Sequence, residues 1–196
     1  MTEIVFLGIR PGEWLLGVAT LGLWLSTQLL VREAKTSSER QQRAYVYPTK
    51  SAVVSTGFAT QTPIAAGQTP GVVIVAANLG QTPAYKSQIV GEIDFVPWPI
   101  VTGSLSALNF ADPNTSKTTA GPNIEITKSH IFTRSLTHTE YNALSGGTHA
   151  LVAHGEIRYK DAFGKSRWTK YRYFVGGPFG IQGFATGQHA EGNDSN

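Results

Sequence analysis

The sequence of 196 residues contains no cysteine. This absence excludes disulfide bonds, thiolate nucleophiles and cysteine-ligated metal sites, although it says little about the cellular compartment. Charged residues make up only 15% of the chain, and the formal net charge is +3. So small a basic excess is compatible with a position near an anionic membrane surface, and it does not require nucleic acid as a partner.

The common catalytic signatures are also missing. The sequence has no G-x-S-x-G, no H-E-x-x-H and no G-x-x-x-x-G-K-[ST] motif, which removes sequence support for the usual nucleophilic, zinc and phosphate-loop chemistry. His149 and His154 are five residues apart, so in a strand they point to opposite faces and cannot jointly hold a metal. Carboxylates on predicted outward faces (Glu92, Asp94 and Glu156) are interpreted as solubilising. The sequence therefore predicts no catalytic residue, no metal site, no cofactor and no enzymatic activity.

One long apolar run is present, from Trp14 to Val31, with eighteen residues and no charged side chain. As a helix it covers about 27 Å, close to the ~30 Å hydrocarbon thickness of a bilayer. A buried core helix would carry a polar face, and a cleaved signal peptide would have a basic start and a small-residue cleavage site. The run fits neither, so the sequence predicts an uncleaved transmembrane helix. Its anchor residues are Trp14, Leu15, Leu16, Gly17, Val18, Ala19, Leu21, Gly22, Leu23, Trp24, Leu25, Leu29, Leu30 and Val31.

The distribution of basic residues predicts the orientation of this helix. Arg10 stands alone before it, whereas Arg32, Lys35, Arg40 and further basic residues follow it. Basic residues favour the cytoplasmic side, so we expect the large C-terminal domain in the cytoplasm, with the periplasm left open as the alternative. Gly17 and Gly22 are five residues apart and therefore lack the GxxxG spacing of a helix-dimer motif. The small residues of the helix would still let a neighbouring helix approach closely, so a helical partner and a lone helix are equally open.

The chain divides into five predicted segments: an N-terminal tail (1–13), the transmembrane helix (14–31), a helical stalk (32–44), a β-sandwich domain (45–176) and a Gly-rich tail (177–196). The tail is expected to be mobile unless a partner orders it. The stalk lacks proline and glycine, and Glu39 precedes Arg43 by four residues, a favourable helical pair.

Strand patterns separated by turn residues fill the fourth segment. The expected strands are 53–59, 71–78, 85–95, a short one at 105–110, 124–131 with a bulge or a break near Lys128 and Ser129, 148–160 and 166–175, with a short helix at 137–144. This pattern predicts a mainly β fold, an antiparallel immunoglobulin-like β-sandwich, with a barrel as the alternative.

The last predicted hairpin mixes basic and aromatic residues and is the candidate interaction surface. It contains Arg158, Lys160, Phe163, Lys165, Arg167, Trp168, Lys170 and Arg172. Such a surface suits anionic lipid headgroups, an acidic partner or single-stranded nucleic acid, of which nucleic acid is the least expected. Strand alternation alone would also place aromatic residues inward and basic residues outward, without any ligand.

Three segments stand out beside the Gly-Asn-Asp-rich end: Gln42-Arg43-Ala44-Tyr45-Val46, Asn78-Leu79-Gly80-Gln81-Thr82-Pro83-Ala84-Tyr85 and Gly155-Glu156-Ile157-Arg158-Tyr159-Lys160-Asp161-Ala162-Phe163-Gly164. In these segments the chain resembles a broad group of uncharacterised bacterial, mostly proteobacterial, single-pass membrane proteins. The resemblance implies a bacterial inner-membrane protein with a tethered immunoglobulin-like domain and no agreed activity. Relatives often carry a cysteine near the last strand, which this chain lacks.

These observations lead to two expectations about function. The first is a non-enzymatic accessory subunit of a larger membrane complex, with other membrane proteins and the lipid bilayer as partners. The alternative is a membrane-tethered module that binds anionic lipid, peptide or nucleic acid through the last hairpin.

Overall fold

The computed structural model describes residues 11–55, 64–111, 116–181 and 186–196. The chain divides into two compact units, Met1–Gln42 and Arg43–Asn196. The first ten residues, which belong to the predicted N-terminal tail, lie outside the described residues.

The first unit contains one continuous helix, α1, which runs from Pro11 to Gln42. Its apolar side chains are exposed, for example Leu15 at 74% and Leu23 at 71%. The hydroxyls of Thr20 and Ser26 donate to carbonyl oxygens four residues earlier, so these polar groups are satisfied within the helix. With a mean hydropathy of 1.6 in its most apolar window, α1 is long and apolar enough to cross a bilayer. The predicted stalk is helical, ending at Gln42, two residues before the expected end.

The second unit is mainly β and contains two antiparallel sheets. In the described residues the first sheet has the order β1-β2-β5, and the second has the order β4-β3-β6-β7-β8. The strands are β1 (Val46–Ser55), β2 (Pro70–Asn78), β3 (Ala84–Pro97), β4 (Thr118–Ala120), β5 (Glu125–Ile131), β6 (His149–Lys160), β7 (Ser166–Gly176) and β8 (Gly187–Gln188). A short helix, α2 (His138–Ser145), connects β5 to β6.

The inner faces of the two sheets share one hydrophobic core. Val53 and Ile74 contribute from the first sheet, and Ile93, Ile157 and Tyr171 from the second, all within one cluster of buried side chains. The nearly uninterrupted apolar sequence of β2 is explained by its central position between β1 and β5, where most of its residues are buried. The two sheets therefore pack face to face.

Helix α2 begins as the sequence predicts. The hydroxyl of Thr137 accepts the backbone N–H of Glu140 at 3.2 Å, and the Glu140 carboxylate accepts the backbone N–H of Thr137 at 2.9 Å. Arg134 also donates to this carboxylate, and together these bonds lower the pKa of Glu140 to about 2. The capping box fixes the start of the helix, and Leu144 is buried at its other end.

Two of the predicted strands, 53–59 and 105–110, differ from the strands in the structure. Strand β1 begins at Val46, seven residues before the predicted start at Val53, while residues 56–59 of that prediction lie outside the described residues. The segment 105–110 is not a strand, because Ser106 is bonded through both its N–H and its hydroxyl to the Asp94 carboxylate rather than to a neighbouring strand.

The predicted bulge near Lys128 is absent. The pairing of β5 with β2 is regular from Glu125 to Ile131. His130 points into the core with 5% exposure, whereas Ile131 stays 47% exposed. The apolar pattern is misleading here because a polar ring takes the inward position and finds a hydrogen-bond partner there.

The end of the predicted tail is paired with the domain. Residues 187–196, here called the C-terminal segment, lie along β7. The N–H of Lys170 donates to the carbonyl of Asp194 at 2.7 Å, and the N–H of Asn196 donates to the carbonyl of Trp168 at 3.3 Å. The segment pairs backbone groups that a strand edge would otherwise leave open.

Candidate functional site

The strand register divides the predicted hairpin surface between two faces of the second sheet. Arg158 lies opposite Trp168, Glu156 opposite Lys170 and His154 opposite Arg172, so these six residues share the outer face, away from the first sheet. Arg167 lies opposite Tyr159 and therefore belongs to the inward-facing set.

Arg167 serves the hairpin turn. Its Nε lies 3.0 Å from Oδ2 of Asp161, whose side chain is fully buried. The other oxygen of this carboxylate accepts the backbone N–H groups of Phe163 and Lys165, at 3.0 and 2.8 Å. Arg167 thus neutralises the carboxylate that builds the turn. This ion pair gives the positive charge of Arg167 a structural role.

Arg172 is covered by the C-terminal segment. Only 6% of the residue is exposed, and its backbone N–H donates to Asn193 Oδ1 at 2.9 Å. Its guanidinium lies so close to Gly192 that a Cβ there would be 2.7 Å from the guanidinium carbon. Of the eight candidate residues, Arg172 is therefore covered, whereas Arg167 also lines the depression described next but is already paired with the buried Asp161 carboxylate.

The remaining outer-face residues line an open depression of about 660 Å³. We call this depression the basic groove and define it by seven side chains: Lys86, Lys117, Arg158, Lys160, Lys170, Glu156 and Trp168. The five basic residues are exposed. They come from β3, from the segment before β4, from β6 and from β7, so four neighbouring parts of the sheet edge contribute to one surface.

Two of these cations, Lys86 and Lys117, are not part of the sequence-predicted surface. Lys86 lies at a bulge in β3, where pairing with β6 passes from Tyr85 opposite Lys160 to Gln88 opposite Arg158. It has a φ of 51°, and bulges of this kind redirect side chains. The same bulge leaves Tyr85 exposed. No sequence signal places Lys86 beside Lys117, because only the order of strands brings them together.

Glu156 supplies the carboxylate of the groove. It is buried, and its Oε1 lies 2.6 Å from Nε of Arg158. The Arg158 guanidinium also lies over the ring of Phe110, 3.3 Å from its centroid. Among the described residues, none of the four groove lysines forms an ion pair with a carboxylate. The groove therefore carries a concentrated positive charge.

Trp168 forms an aromatic wall beside these cations. The Lys170 ammonium lies 5.0 Å from the centroid of its ring. Both backbone groups of Trp168 form hydrogen bonds with Asn196: the Trp168 N–H donates to Asn196 Oδ1 at 2.9 Å, and the Trp168 carbonyl accepts the Asn196 N–H. The C-terminal segment thus fixes one wall of the groove. Phe163 and Lys165 lie outside the groove, exposed on the hairpin turn.

The remaining candidate polar residues have structural partners. His154 Nε2 lies 2.8 Å from Asp94 Oδ2, and His149 stacks on Phe95 with centroids 4.8 Å apart. Asp94 and Glu156 are therefore bonded groups of the outer face, and the interpretation of both as solubilising carboxylates is wrong. Within the described parts of the chain, no group of three or more His, Asp or Glu residues could hold a metal ion.

This arrangement can bind anions. Ammonium groups donate to phosphate or carboxylate oxygens as point charges, and an indole beside them offers an apolar face. Comparison of the chain with protein-family models, with curated proteins and with solved structures gives no match.

Proposed function

We propose that this chain is a non-enzymatic, single-pass membrane protein whose β domain binds an anionic partner through the basic groove. The observation that carries the proposal is the convergence of five exposed basic side chains from four parts of one sheet, with a single, already paired carboxylate among them. Positive residues gathered in this way raise the local concentration of anions and bind them.

The membrane part of the proposal rests on α1. Its side chains from Trp14 to Val31 are exposed, and nothing in the described part of the chain covers them. Water is a poor environment for so much apolar surface, so lipid is the medium that suits it. We propose the bacterial inner membrane as its location, with the β domain in the cytoplasm, because basic residues are concentrated after the helix.

The strand order supports an immunoglobulin-like sandwich as the finer description of the domain. The order β1-β2-β5 corresponds to strands A-B-E of that fold, and β4-β3-β6-β7 corresponds to C′-C-F-G. Strand β8 would then be an addition beside G. The fold itself assigns no activity, so the function is argued from the groove.

Charge reversal tests the proposal. Full-length chain in neutral detergent is expected to bind a fluorescent polyphosphate, and the triple variant Lys86→Glu/Lys160→Glu/Lys170→Glu should bind about 100-fold more weakly, since each lysine near an anionic array contributes about 1 kcal/mol. Thermophoresis at low ionic strength measures both affinities.

Lys50 supplies the matched control. It is exposed on β1, outside the groove, and its substitution by glutamate changes the net charge by the same amount as Lys160→Glu. Lys160→Glu should weaken binding severalfold and Lys50→Glu should leave it nearly unchanged. Equal effects of the two single variants would mean that binding is a non-specific response to net charge, and the groove would lose its role.

A second function, that of an accessory subunit in a larger membrane complex, is favoured by the surface of α1. Around Gly17 and Gly22 an added Cβ would meet nothing within 4 Å, so a neighbouring helix can approach the backbone closely at either position. Affinity purification of the tagged full-length chain in mild detergent, with mass spectrometry, is expected to recover membrane proteins in fixed stoichiometry. Gly17→Leu/Gly22→Leu should release them, and Val18→Leu should not. Recovery of a lone monomer would contradict this second function.

A further inference from the structure

The basic groove opens at the end of the domain where the polypeptide enters it from α1. Helix α1 ends at Gln42, and β1 begins at Val46. The carbonyl of Ala44 accepts the Tyr159 hydroxyl at 3.2 Å, and Tyr159 lies between the groove residues Arg158 and Lys160. The point of entry is therefore bonded to the strand that forms the floor of the groove.

The length of the chain limits how far this entry point can lie from the membrane. Residues 32–42 separate the last apolar residue of the span from the domain and are helical, so they reach about 16 Å. The polar headgroup layer of a bilayer extends about 5–8 Å beyond the hydrocarbon on each side. A helix of this length keeps the entry point within about 16 Å of the hydrocarbon boundary, which is at most about 8–11 Å beyond the headgroup layer.

The hairpin turn next to the groove carries an apolar group that suits a membrane surface. Phe163 is 40% exposed at the tip, between Lys160 and Lys165 in sequence. Trp168 follows on β7, beside the Lys170 ammonium. Aromatic side chains flanked by basic ones partition into the headgroup region. Neither a free phosphate nor an acidic peptide in water requires an exposed phenylalanine at this position.

We propose that the anionic partner of the basic groove is the phosphate headgroup of anionic phospholipids in the membrane that holds α1. This inference rests on the proposed function. The groove lysines contact the phosphate oxygens, and Phe163 enters the headgroup layer. The hairpin end of the domain is thereby held against the membrane surface. The charge of the bilayer then controls how much of the domain surface is presented to other molecules.

The absence of cysteine allows a specific test with the full-length chain. A single cysteine is introduced at Ala162, exposed on the hairpin turn, or at Ser145, exposed at the opposite end of β6, and is labelled with a donor dye. The chain is placed in nanodiscs of phosphatidylcholine, with or without phosphatidylglycerol, that contain a trace of headgroup-labelled acceptor lipid. Energy transfer from position 162 is expected to rise when phosphatidylglycerol is present, and transfer from position 145 is not.

Variants and ions identify the cause of any rise. The triple groove variant should reduce the ratio of docked to undocked domain about 100-fold, which returns transfer to the level of neutral nanodiscs, whereas Lys50→Glu should keep it. Salt at about 1 M should abolish the rise, because the screening length falls to about 3 Å. Inorganic phosphate at matched ionic strength should lower transfer no more than chloride; stronger competition would make free phosphate the ligand.

The outcomes separate this inference from the proposed function. Groove-dependent polyphosphate binding without a lipid-dependent rise in transfer would overturn the lipid proposal and leave an anion-binding groove. Displacement of the domain from anionic nanodiscs by low concentrations of an oligothymidylate or of polyglutamate would assign the groove to nucleic acid or to an acidic protein instead. If the triple groove variant changed neither polyphosphate binding nor the lipid-dependent rise in energy transfer, both proposals would be overturned.

Discussion

Replacing Gly155 by alanine is expected to lower the free energy of unfolding of the β domain by about 4 kcal/mol. Gly155 lies on the inward face of β6, directly opposite Gly91 of β3. An added Cβ would overlap the hydroxyl of Tyr171 and the carbonyl oxygen of Val90. Overpacking of this kind costs about 1–3 kcal/mol, and displacement of a buried hydroxyl from its hydrogen bonds costs about as much again.

The overlap cannot be relieved cheaply, because Val90 is paired in the ladder between β3 and β6. Urea denaturation of the full-length chain in detergent, followed by near-ultraviolet circular dichroism, measures the loss. Gly103→Ala is the control: a Cβ there meets nothing within 4 Å, so its change should stay within about 0.5 kcal/mol. A Gly155→Ala protein as stable as this control would show that the Tyr171 hydroxyl does not occupy the space over β6.

Lowering the pH from 7 to 4 is expected to remove about 3 kcal/mol of stability through one residue, His130. Its Nε2 lies 2.7 Å from the Tyr171 hydroxyl in the core between the sheets. Burial, and then the charge of Lys128, lower the pKa of His130 from 6.5 to about 4, although a backbone hydrogen bond to Gly91 opposes the shift. Burial also raises the pKa of the Tyr171 phenol, so this group stays neutral throughout the range.

The direction of the effect follows from which state binds the proton first. As the pH falls below 6.5, the unfolded chain protonates His130 while the folded domain excludes the proton, so unfolding is favoured progressively until pH 4. One pKa unit corresponds to about 1.4 kcal/mol. Stability is therefore complete above pH 6.5 and declines between 6.5 and 4.

The variant His130→Gln isolates this contribution, because its amide can still bond to Tyr171 and does not titrate. Denaturation curves at several pH values should show that the wild-type domain loses about 3 kcal/mol more than the variant between pH 7 and 4. Parallel pH profiles for the two proteins would contradict the assignment. The Glu140 carboxylate, with its pKa lowered to about 2, acts mainly below this window and is common to both.

Some elements of this protein are readable from short stretches of sequence. The alternation in β6 and β7, the apolar run of β2 and the capping box of α2 each depend on residues within a few positions of one another. Strand β4 has only three residues and no pattern of its own, so the sequence around it does not predict a strand. It exists because β3 offers it an edge to pair with.

The site is less readable than the fold. Alternation correctly predicts that Arg158, Lys160 and Lys170 point outward, since this depends on strand parity alone. Alternation also assigns Arg172 to the exposed surface, because the residues that cover it, 189–193, are distant in sequence. It misses Lys86 and Lys117, because the bulge at Lys86 has no local signature.

Local periodicity and composition are enough to predict the apolar helix that can cross a bilayer, the β character of the domain and the basic hairpin. Three other features come from the folded domain: His130 rather than Ile131 faces the core, the C-terminal segment lies along β7, and cations from four parts of the second sheet converge in one groove. These features depend on which strands become neighbours. Strand pairing joins residues that are far apart in the chain, and its free energy is not encoded in any one segment.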